Sequence, residues 1–241
     1  MRAVITRAAH QAEELASPLR EHGFDVISLP LIELVPPLNP EPLKLAALDA
    51  DKYDWVIFTS ANAVDAFYEE LRCAANTVRG RIAAVGPATR QAAEQKGFTV
   101  NLVPGKYVAE SLLEAFGAVD LAGKRLLIPC AAGARDLIPT ELRKRGAIVD
   151  VVEAYRNVVP QLALEQAPGV FREPYPEWVL FASSSAIDNL VALVGIETLR
   201  HSKLASIGPI TSATIERYGL PVSAEAAPHT IEGLVDAITK C

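Results

Sequence analysis

Histidine and cysteine, which supply most transition-metal and redox sites, are scarce in this sequence of 241 residues. It has four histidines and three cysteines, and no histidine stands at ligand spacing from a cysteine or from another histidine. The cysteines (Cys73, Cys130 and Cys241) are far apart and odd in number. This pattern excludes a zinc motif, a redox motif and a disulfide framework, so we expect no metal site.

Excess positive charge is also missing. The chain has 23 Lys and Arg against 29 Asp and Glu, a formal net charge of −6, so we do not expect nucleic acid as a partner. A small anion could still be held locally by backbone N–H groups. There is neither a membrane-spanning apolar run nor the apolar stretch of a signal peptide, so we expect a cytoplasmic protein that binds no membrane.

Signatures of nucleotide binding and of nucleophilic catalysis are absent as well. The sequence has neither a Gly-x-Gly-x-x-Gly loop nor a Walker A sequence, which disfavours nucleotide binding. Three consecutive serines at 183–185 stand outside a Gly-x-Ser-x-Gly context. A role as helix cap or ligand donor is therefore favoured for them over that of a nucleophile.

What the sequence does contain is a near-complete tandem duplication. Residues 55–60 (Trp-Val-Ile-Phe-Thr-Ser) return at 178–183 (Trp-Val-Leu-Phe-Ala-Ser), an offset of 123. Residues 84–89 (Ala-Val-Gly-Pro-Ala-Thr) return at 206–211 (Ser-Ile-Gly-Pro-Ile-Thr), an offset of 122. A weaker match joins the first segment of the chain to the segment that begins at Arg125. Two similar units predict two similar domains, and facing domains predict a cleft.

Short apolar runs alternate with helical patterns along the chain. Runs such as 55–58 are apolar throughout, which is typical of strands buried on both faces of a parallel sheet. This alternation predicts an α/β fold with doubly wound parallel sheets. The predicted strands are 2–6, 25–29, 54–59, 81–85, 99–103, 125–129, 148–152, 177–182, 203–207 and 221–224. The predicted helices are 8–22 (broken or kinked at Pro18), 61–72, 88–96, 109–116, 135–145, 186–194, 210–218 and 231–239.

Proline-rich segments, rather than the repeat boundary, mark the predicted domain boundaries. They lie near 36–42 and, at the equivalent place in the second copy, near 158–168. The predicted domains are 1–35 with 158–241, and 36–157, with linkers at about 36–42 and 153–168. The two copies of the repeat would then be exchanged, each contributing a piece to both domains.

Small and hydroxyl-bearing residues follow the predicted strands and lead into helices. Ligands of open α/β sheets bind beyond the carboxyl ends of the strands, where helix N-termini offer N–H groups to a carboxylate or phosphate. The same residue types are ordinary caps and turns, so any one loop fits capping as well as binding. Six such loops in duplicate favour a polyanionic ligand. The candidate binding residues are Thr6, Arg7, Ser60, Ala61, Asn62, Gly86, Thr89, Ala131, Ser183, Ser184, Ser185, Gly208 and Thr211.

Tyr155 is the candidate for chemistry. It lies in the segment 152–158, where the chain passes from one predicted domain to the other. A phenol there can donate a proton or a hydrogen bond into the predicted cleft. A tyrosine of the core or of a hinge fits the same spacing, so both interpretations stay open. Its counterpart 123 residues earlier is Ile32, so the duplication is broken at this position.

Taken together, five segments resemble the uroporphyrinogen-III synthase family, in the family's order. They are 4–7, 55–64, 85–89, 152–155 and 207–211. The resemblance implies two flavodoxin-like α/β domains joined by a two-stranded linker, with the chain crossing out and back. It also implies an enzyme without metal or cofactor. Its substrate would be hydroxymethylbilane, a linear tetrapyrrole with eight carboxylates, closed to uroporphyrinogen III with inversion of the terminal ring and loss of water.

The resemblance implies roles for single residues too. The family's tyrosine at the domain crossing corresponds to Tyr155, its cleft threonines to Thr89 and Thr211, and its serine-rich loop to 183–185. Ile210 stands where relatives can carry a second hydroxyl, which argues against an essential hydroxyl there. We expect a monomer whose partner is a small molecule.

Two other functions stay open at this point. A transferase of the nucleotide-sugar type would also use two α/β domains, although the glycine-rich loop is missing; stabilisation by a nucleotide would favour it. A non-catalytic regulatory module that binds a polycarboxylate would use the same loops; binding without turnover would favour that.

Overall fold

A computed structural model describes residues 1–106 and 108–240, apart from the side chain of His10, so Cys241 lies outside the described residues. In this part of the chain, strands alternate with α-helices and one 3-10 helix, Ala50–Lys52. The strands are β1 Arg2–Ile5, β2 Asp25–Ser28, β3 Glu33–Val35, β4 Trp55–Phe58, β5 Arg81–Ala84, β6 Val100–Leu102, β7 Arg125–Ala131, β8 Ile148–Val158, β9 Trp178–Phe181, β10 Lys203–Ser206 and β11 Ala224–Glu225.

The α-helices differ widely in length, from four residues to thirteen. They are α1 Ala9–Glu21, α2 Glu41–Leu48, α3 Ala61–Cys73, α4 Pro87–Gln95, α5 Ala109–Ala115, α6 Leu137–Lys144, α7 Gln161–Val170, α8 Ser184–Val194, α9 Ile196–Leu199, α10 Pro209–Arg217 and α11 Ile231–Thr239. None of these helices is long and apolar enough to cross a membrane.

The chain divides into two compact units, each built on one sheet. The first unit comprises Met1–Glu33 and the chain from Val158 onward, and the second comprises Leu34–Asn157. The first sheet has the order β11-β10-β9-β1-β2, and the second has the order β3-β8-β7-β4-β5-β6. Strand pairing is parallel throughout the first sheet and from β8 to β6 in the second. The predicted α/β class with two parallel sheets is confirmed.

Each sheet combines strands from both copies of the repeat. At the offsets of 123 and 122, β1 and β2 correspond to β7 and β8, and β4, β5 and β6 correspond to β9, β10 and β11. When equivalent strands are matched, the two sheet orders are the same, and β3 is an additional strand at the edge of the second sheet. The first copy therefore supplies β1 and β2 to one sheet and β4, β5 and β6 to the other.

Burial on both faces explains the uninterrupted apolar strands in each sheet. All four residues of β4 are buried. Val56 and Phe58 pack into the core on one face, and Trp55 and Ile57 pack into the core on the other. Strand β9 divides its four residues between two cores in the same way. Because alternate side chains point to opposite faces, a strand covered on both sides leaves no position for a polar residue.

In both units, an acidic residue just before a central strand bonds to the start of the neighbouring strand: β4 to β7 in the second unit, and β9 to β1 in the first. Asp54 accepts a hydrogen bond from the backbone N–H of Arg125 at 2.9 Å and lies 3.0 Å from the ammonium of Lys124. At the equivalent place in the first unit, Glu177 accepts one from the backbone N–H of Arg2 at 3.0 Å. The bond from Arg125, assisted by Lys124, holds the pKa of Asp54 below its usual range. The duplication thus extends to hydrogen bonds beside the paired strands.

The ten predicted strands and the eight predicted helices are all present, with ends shifted by a few residues. Five elements were not predicted: β3, α2, the 3-10 helix, α7 and α9. Three of them, β3, α2 and α7, lie in or beside segments predicted as linkers. Proline is compatible with the first turn of a helix, and α2 carries one there.

Two further details of local structure differ from the prediction. The predicted end of a strand at residue 152 is wrong, because β8 continues to Val158. Of the break or kink predicted at Pro18, the break does not occur, because helix α1 runs on to Glu21. The proline stands near the end of this helix, where its missing N–H removes a single hydrogen bond and few turns remain to be disturbed.

The hydrogen bond and ion pair of Asp54 predict that the stability difference between wild type and Asp54→Asn depends on pH. Because the folded-state pKa lies below the ordinary value of 3.8, the carboxylate stabilises the fold above that pH and loses its effect as the pH falls through the folded-state pKa. Its side chain is 38% exposed, so we expect Asp54→Asn to lower the free energy of unfolding by at most about 1 kcal/mol at neutral pH. Urea unfolding between pH 7 and pH 3 measures this. The exposed Glu21→Gln serves as control, and a difference independent of pH would contradict the assignment.

We propose that the two compact units are the domains, with the bounds predicted from the proline-rich segments. The second unit is continuous in sequence, and it contains every partner of β7 and β4. We expect residues 34–157 alone to unfold cooperatively in urea. The repeat-length fragment 1–123 should not, because β1 loses β9 and β4 loses β7. Cooperative unfolding of 1–123 but not of 34–157 would contradict the proposal.

Candidate active site

The predicted polar loops lie at the carboxyl ends of parallel strands, at one edge of each sheet. In the second unit, Ser60 precedes α3 and Ala61 and Asn62 begin it after β4, Gly86 and Thr89 lie where α4 begins after β5, and Ala131 ends β7. In the first unit, the others lie in the loops after β1, β9 and β10 or in the first turns of the helices α8 and α10: Thr6, Arg7, Ser183, Ser184, Ser185, Gly208 and Thr211. Each unit thus carries its own set of predicted binding residues at the sheet edge where α/β proteins bind ligands.

Two serines cap helices in the same way in the two units. Ser60 Oγ accepts a hydrogen bond from the N–H of Ala63 at 3.2 Å at the start of α3. Ser183 Oγ accepts one from the N–H of Ala186 at 3.3 Å at the start of α8. The capping interpretation therefore applies to both side chains. Other N–H groups of each first turn have no intrahelical partner and remain suited to an anion.

The candidate threonines are buried within their own units. Thr6 is 1% exposed, and its hydroxyl donates to the carbonyl oxygen of Leu180 at 2.8 Å. Thr89 and Thr211 are 6% and 5% exposed and lie in the first turns of α4 and α10. A contact from any of these residues to a ligand would therefore come from the backbone more readily than from the hydroxyl.

The remaining candidate side chains differ in their exposure and in their ion-pair or hydrogen-bond partners. Arg7 forms an ion pair with Glu14 at 2.7 Å and is 15% exposed, so its charge is partly neutralised. The hydroxyl of Ser184 makes only a long contact, 3.4 Å, with the carbonyl oxygen of Ile210. Asn62 and Ser185 are exposed. These two offer the most accessible polar side chains among the candidates.

An irregularity in β8 determines which face of the sheet carries the Tyr155 side chain. Cys130 pairs with Glu153, whereas the next residue of β7, Ala131, pairs with Tyr155, so Ala154 is an extra residue in the ladder. Successive strand residues normally face opposite sides of a sheet. Here Ala154 and Tyr155 both pack against the same core cluster, which is how a bulge re-aims a side chain.

The Tyr155 hydroxyl lies 3.1 Å from Ser60 Oγ, and either oxygen can be the donor. The tyrosine is partly buried, and its backbone oxygen accepts a hydrogen bond from the N–H of Ala132 at 2.9 Å. The structure therefore combines the two sequence interpretations. The ring packs on the core, while the hydroxyl is held where α3 begins. The Ser60 contact was not predicted, because it depends on the bulge.

A pocket of about 390 Å³ opens beside Tyr155 in the second unit. Most of its lining is apolar, with carboxylates contributed by α3. The lining residues are Leu34, Val35, Pro36, Pro37, Pro40, Leu43, Asn62, Asp65, Ala66, Glu69, Glu70, Ala154 and Tyr155. Asp65 and Glu69 are ion-paired with lysine and arginine, respectively. The apolar lining and the carboxylate of Glu70 make this pocket a poor place for a ligand carboxylate and a better one for an uncharged or cationic ring.

The contact between Glu153 of β8 and Cys130 of β7 was also not predicted from the sequence. Glu153 Oε1 is buried without a hydrogen-bond partner and lies 3.8 Å from Arg156 Nε. Burial, and then the negative charge of Glu153, raise the pKa of the Cys130 thiol. No sequence signal could reveal this pair, because it forms across two strands. Among the described residues, no group of three or more His, Cys, Asp or Glu could hold a metal ion.

The fold and the site define the class of this protein, and comparison with known proteins identifies its family. Two parallel α/β units with polar loops at the carboxyl edges of their sheets define an α/β protein suited to a small-molecule ligand. The chain belongs to the uroporphyrinogen-III synthase family: the family model described as uroporphyrinogen-III synthase HemD matches residues 13–236. The family model and the curated relatives indicate a uroporphyrinogen-III synthase, a cyclising lyase of tetrapyrrole biosynthesis, which confirms the predicted function.

Curated relatives cover nearly the whole chain. The uroporphyrinogen-III synthase of Synechococcus elongatus is 35% identical over 98% of this chain and 93% of its own length. A putative uroporphyrinogen-III synthase of Methanothermobacter thermautotrophicus is 31% identical over 97% of this chain and 96% of its own length.

Solved structures support the fold. A mutant uroporphyrinogen III synthase from Thermus thermophilus has a TM-score of 0.74 at 15% identity, covering 100% of this chain and 98% of that one. A uroporphyrinogen-III synthetase from Helicobacter pylori has a TM-score of 0.60 at 18% identity, covering 100% and 99%. At these identities the likeness concerns the fold alone.

Proposed function

We propose that this protein converts hydroxymethylbilane into uroporphyrinogen III, with inversion of the terminal pyrrole ring and loss of water. Its membership of the family supports the reaction, and the 35% identical relative carries the enzyme's name. The observation in the structure that carries the proposal is the hydroxyl pair of Tyr155 and Ser60 at 3.1 Å, at the sheet edge that also holds the polar loops.

The polar loops suit the eight carboxylates of the proposed substrate. Helix N-termini after β4, β5, β9 and β10 present backbone N–H groups and positive dipole ends, which stabilise carboxylates without a basic surface. This agrees with a chain whose net charge is −6. We propose that the thirteen candidate binding residues contribute mostly through backbone N–H groups, with Asn62 and Ser185 adding side-chain contacts.

The pocket beside Tyr155 suits a different part of the substrate. Its apolar walls and the carboxylate of Glu70 disfavour the acetate and propionate side chains, because a charge is costly to desolvate and like charges repel. We propose that the hydroxymethyl-bearing ring approaches Tyr155 here with its acidic substituents turned outward. The Glu70 carboxylate would also favour the cation that forms when the hydroxyl leaves.

A balanced sequence of steps follows from this placement. Tyr155 transfers its phenolic proton to the hydroxymethyl oxygen as the carbon–oxygen bond breaks, which releases water and leaves a cation stabilised by the pyrrole nitrogen. The substituted carbon of the terminal ring attacks the cation and forms a spiro intermediate. The older bond at that carbon breaks, which restores the terminal pyrrole and leaves a new cation on the methylene carbon of the neighbouring pyrrole. The terminal ring turns over, and its unsubstituted α-carbon attacks this cation and closes the macrocycle. The proton lost at closure returns to the phenolate.

Positioning is the main contribution in this scheme. Uncatalysed closure gives the isomer with the terminal ring uninverted, so the protein must bring one carbon of that ring, and not the other, within reach of the cation. Orientation of this kind can contribute several kcal/mol without any unusual side chain.

Analysis of the product isomers tests the proposal. We expect protein supplied with hydroxymethylbilane to give uroporphyrinogen III, which is separable from the uninverted isomer after oxidation to the porphyrins. Heat-denatured protein gives the spontaneous background. If the native protein yields only the uninverted isomer at the background rate, the enzyme proposal is wrong and a polycarboxylate-binding module becomes the better interpretation.

Replacement of Tyr155 by phenylalanine removes the proposed proton donor but keeps the ring. We expect Tyr155→Phe to slow turnover about a hundredfold or more, the low end of general acid catalysis, while leaving some activity because positioning is retained. The packed ring should keep the free energy of unfolding within about 1 kcal/mol of wild type. Steady-state kinetics and urea unfolding measure both effects, and a wild-type rate would remove Tyr155 from the mechanism.

The monomeric state and the cytoplasmic location expected from the sequence are also part of this proposal. Light scattering that gives the mass of a dimer would contradict the first, and fractionation that places the protein outside the cytoplasm would contradict the second.

A further inference from the structure

We infer that Ser60 is a positioning residue for Tyr155: its hydroxyl donates to the phenol oxygen and leaves the phenol proton free for the substrate. The inference rests on the proposed function and goes beyond it, because it gives the Ser60 hydroxyl a role through Tyr155 that is separate from any contact of the Ser60 backbone N–H with a carboxylate. It is carried by the 3.1 Å contact between the two hydroxyls and by the capping role of the same serine oxygen.

The hydrogen-bonding capacity of a serine hydroxyl limits the possible arrangements. It has one proton and two lone pairs, and the N–H of Ala63 occupies one lone pair at 3.2 Å. Among the described residues, the phenol oxygen of Tyr155 is the acceptor within reach of the serine proton. With the serine proton on that oxygen, the phenol proton points away from Ser60.

The position of Ser60 at the start of α3 strengthens this direction of donation. Helix α3 has 13 residues, and its N-terminus is the positive end of the helix dipole. When Tyr155 gives its proton to the leaving hydroxyl, the phenolate that remains keeps the Ser60 hydroxyl as a donor and lies near this positive end. Both effects favour the deprotonated state that the proposed first step creates.

The duplication provides an internal comparison for this contact. Ser183 adopts nearly the same backbone conformation as Ser60, with φ −157° and ψ 150° against φ −154° and ψ 156°. It caps α8 through the same type of bond, but no tyrosine of the described residues bonds to it, and the position equivalent to Tyr155 is Ile32. A serine cap therefore forms without a phenol. The contact with Tyr155 is an addition to the cap and not a consequence of it.

Two substitutions of Ser60 separate the cap from the proposed role. Glycine is an accepted N-cap residue, so Ser60→Gly removes the hydroxyl with little loss of helix stability, and Ser60→Thr retains an oxygen at the same place. We expect Ser60→Gly to lower kcat about tenfold with KM nearly unchanged, as for the loss of one hydrogen bond formed to the transition state. Ser60→Thr should recover most of the rate.

A double substitution tests whether Ser60 acts through Tyr155. In the Tyr155→Phe background, Ser60→Gly should have no further effect on kcat, because the phenol oxygen is gone. If the two losses multiply instead, or if Ser60→Gly mainly raises KM, Ser60 contacts the substrate directly and the inference is wrong. Thr230→Ala serves as control: it removes the N-cap of α11, which accepts from Gly233 at 3.1 Å, and should leave kcat unchanged.

A spectroscopic readout does not depend on turnover. In protein labelled with carbon-13 at the phenol carbon of tyrosine, the Tyr155 signal, assigned by its loss in Tyr155→Phe, should shift in Ser60→Gly and stay close to wild type in Thr230→Ala. An unshifted signal would overturn the inference. Absence of the inverted isomer from the wild type would instead overturn the proposed function, whereas equal kcat for wild type and Ser60→Gly would overturn this inference alone.

Discussion

The pairing of β1 with β9, and of β7 with β4, is the constraint on which the rest of the structure depends. Each pair joins strands from different copies of the duplicated sequence, through Val4 with Val179 and through Val56 with Leu127. A parallel sheet of this kind needs helices on both faces and apolar residues throughout its central strands. Neither copy alone can meet this requirement, because the strands that neighbour each other in space come from both.

The same constraint places the candidate site. Parallel strands align their carboxyl ends, so every polar loop of a unit falls at one edge of its sheet. The duplication repeats the loops, the serine caps and the carboxylates Asp54 and Glu177 in both units. Tyr155 is not repeated, because Ile32 stands at the equivalent position of the first unit. Under the proposed function, each unit therefore offers a similar set of candidate carboxylate sites, whereas the phenol proposed for the chemistry belongs to the second unit alone.

Much of this arrangement could be predicted from the sequence, because its causes are local or repeated. Four-residue apolar runs indicate doubly buried strands, and the offsets of 123 and 122 reveal the exchange once the proline-rich segments are taken as boundaries. The same prolines prevented the prediction of α2 and α7. Helix α2 carries a proline in its first turn, whereas α7 follows Pro160 and contains Pro168 near its end. The buried state of Thr89 and Thr211 could not be read from residue type, since a hydroxyl after a strand fits a cap, a core and a binding loop equally. The contact between Ser60 and Tyr155 depends on the bulge at Ala154, and strand periodicity gives no sign of one extra residue.

The discontinuous first unit has a consequence for synthesis. A chain made from its N-terminus presents β1 and β2 at the outset, yet β1 must sit between β2 and β9, and β9 is made only after the whole second unit. Strand β1 and the apolar face of α1 therefore wait for three of the five strands of their sheet while residues 34–157 already have all their partners. We expect the second unit to form first on the ribosome, and the opening segment to be the part of the nascent chain that most needs protection from aggregation.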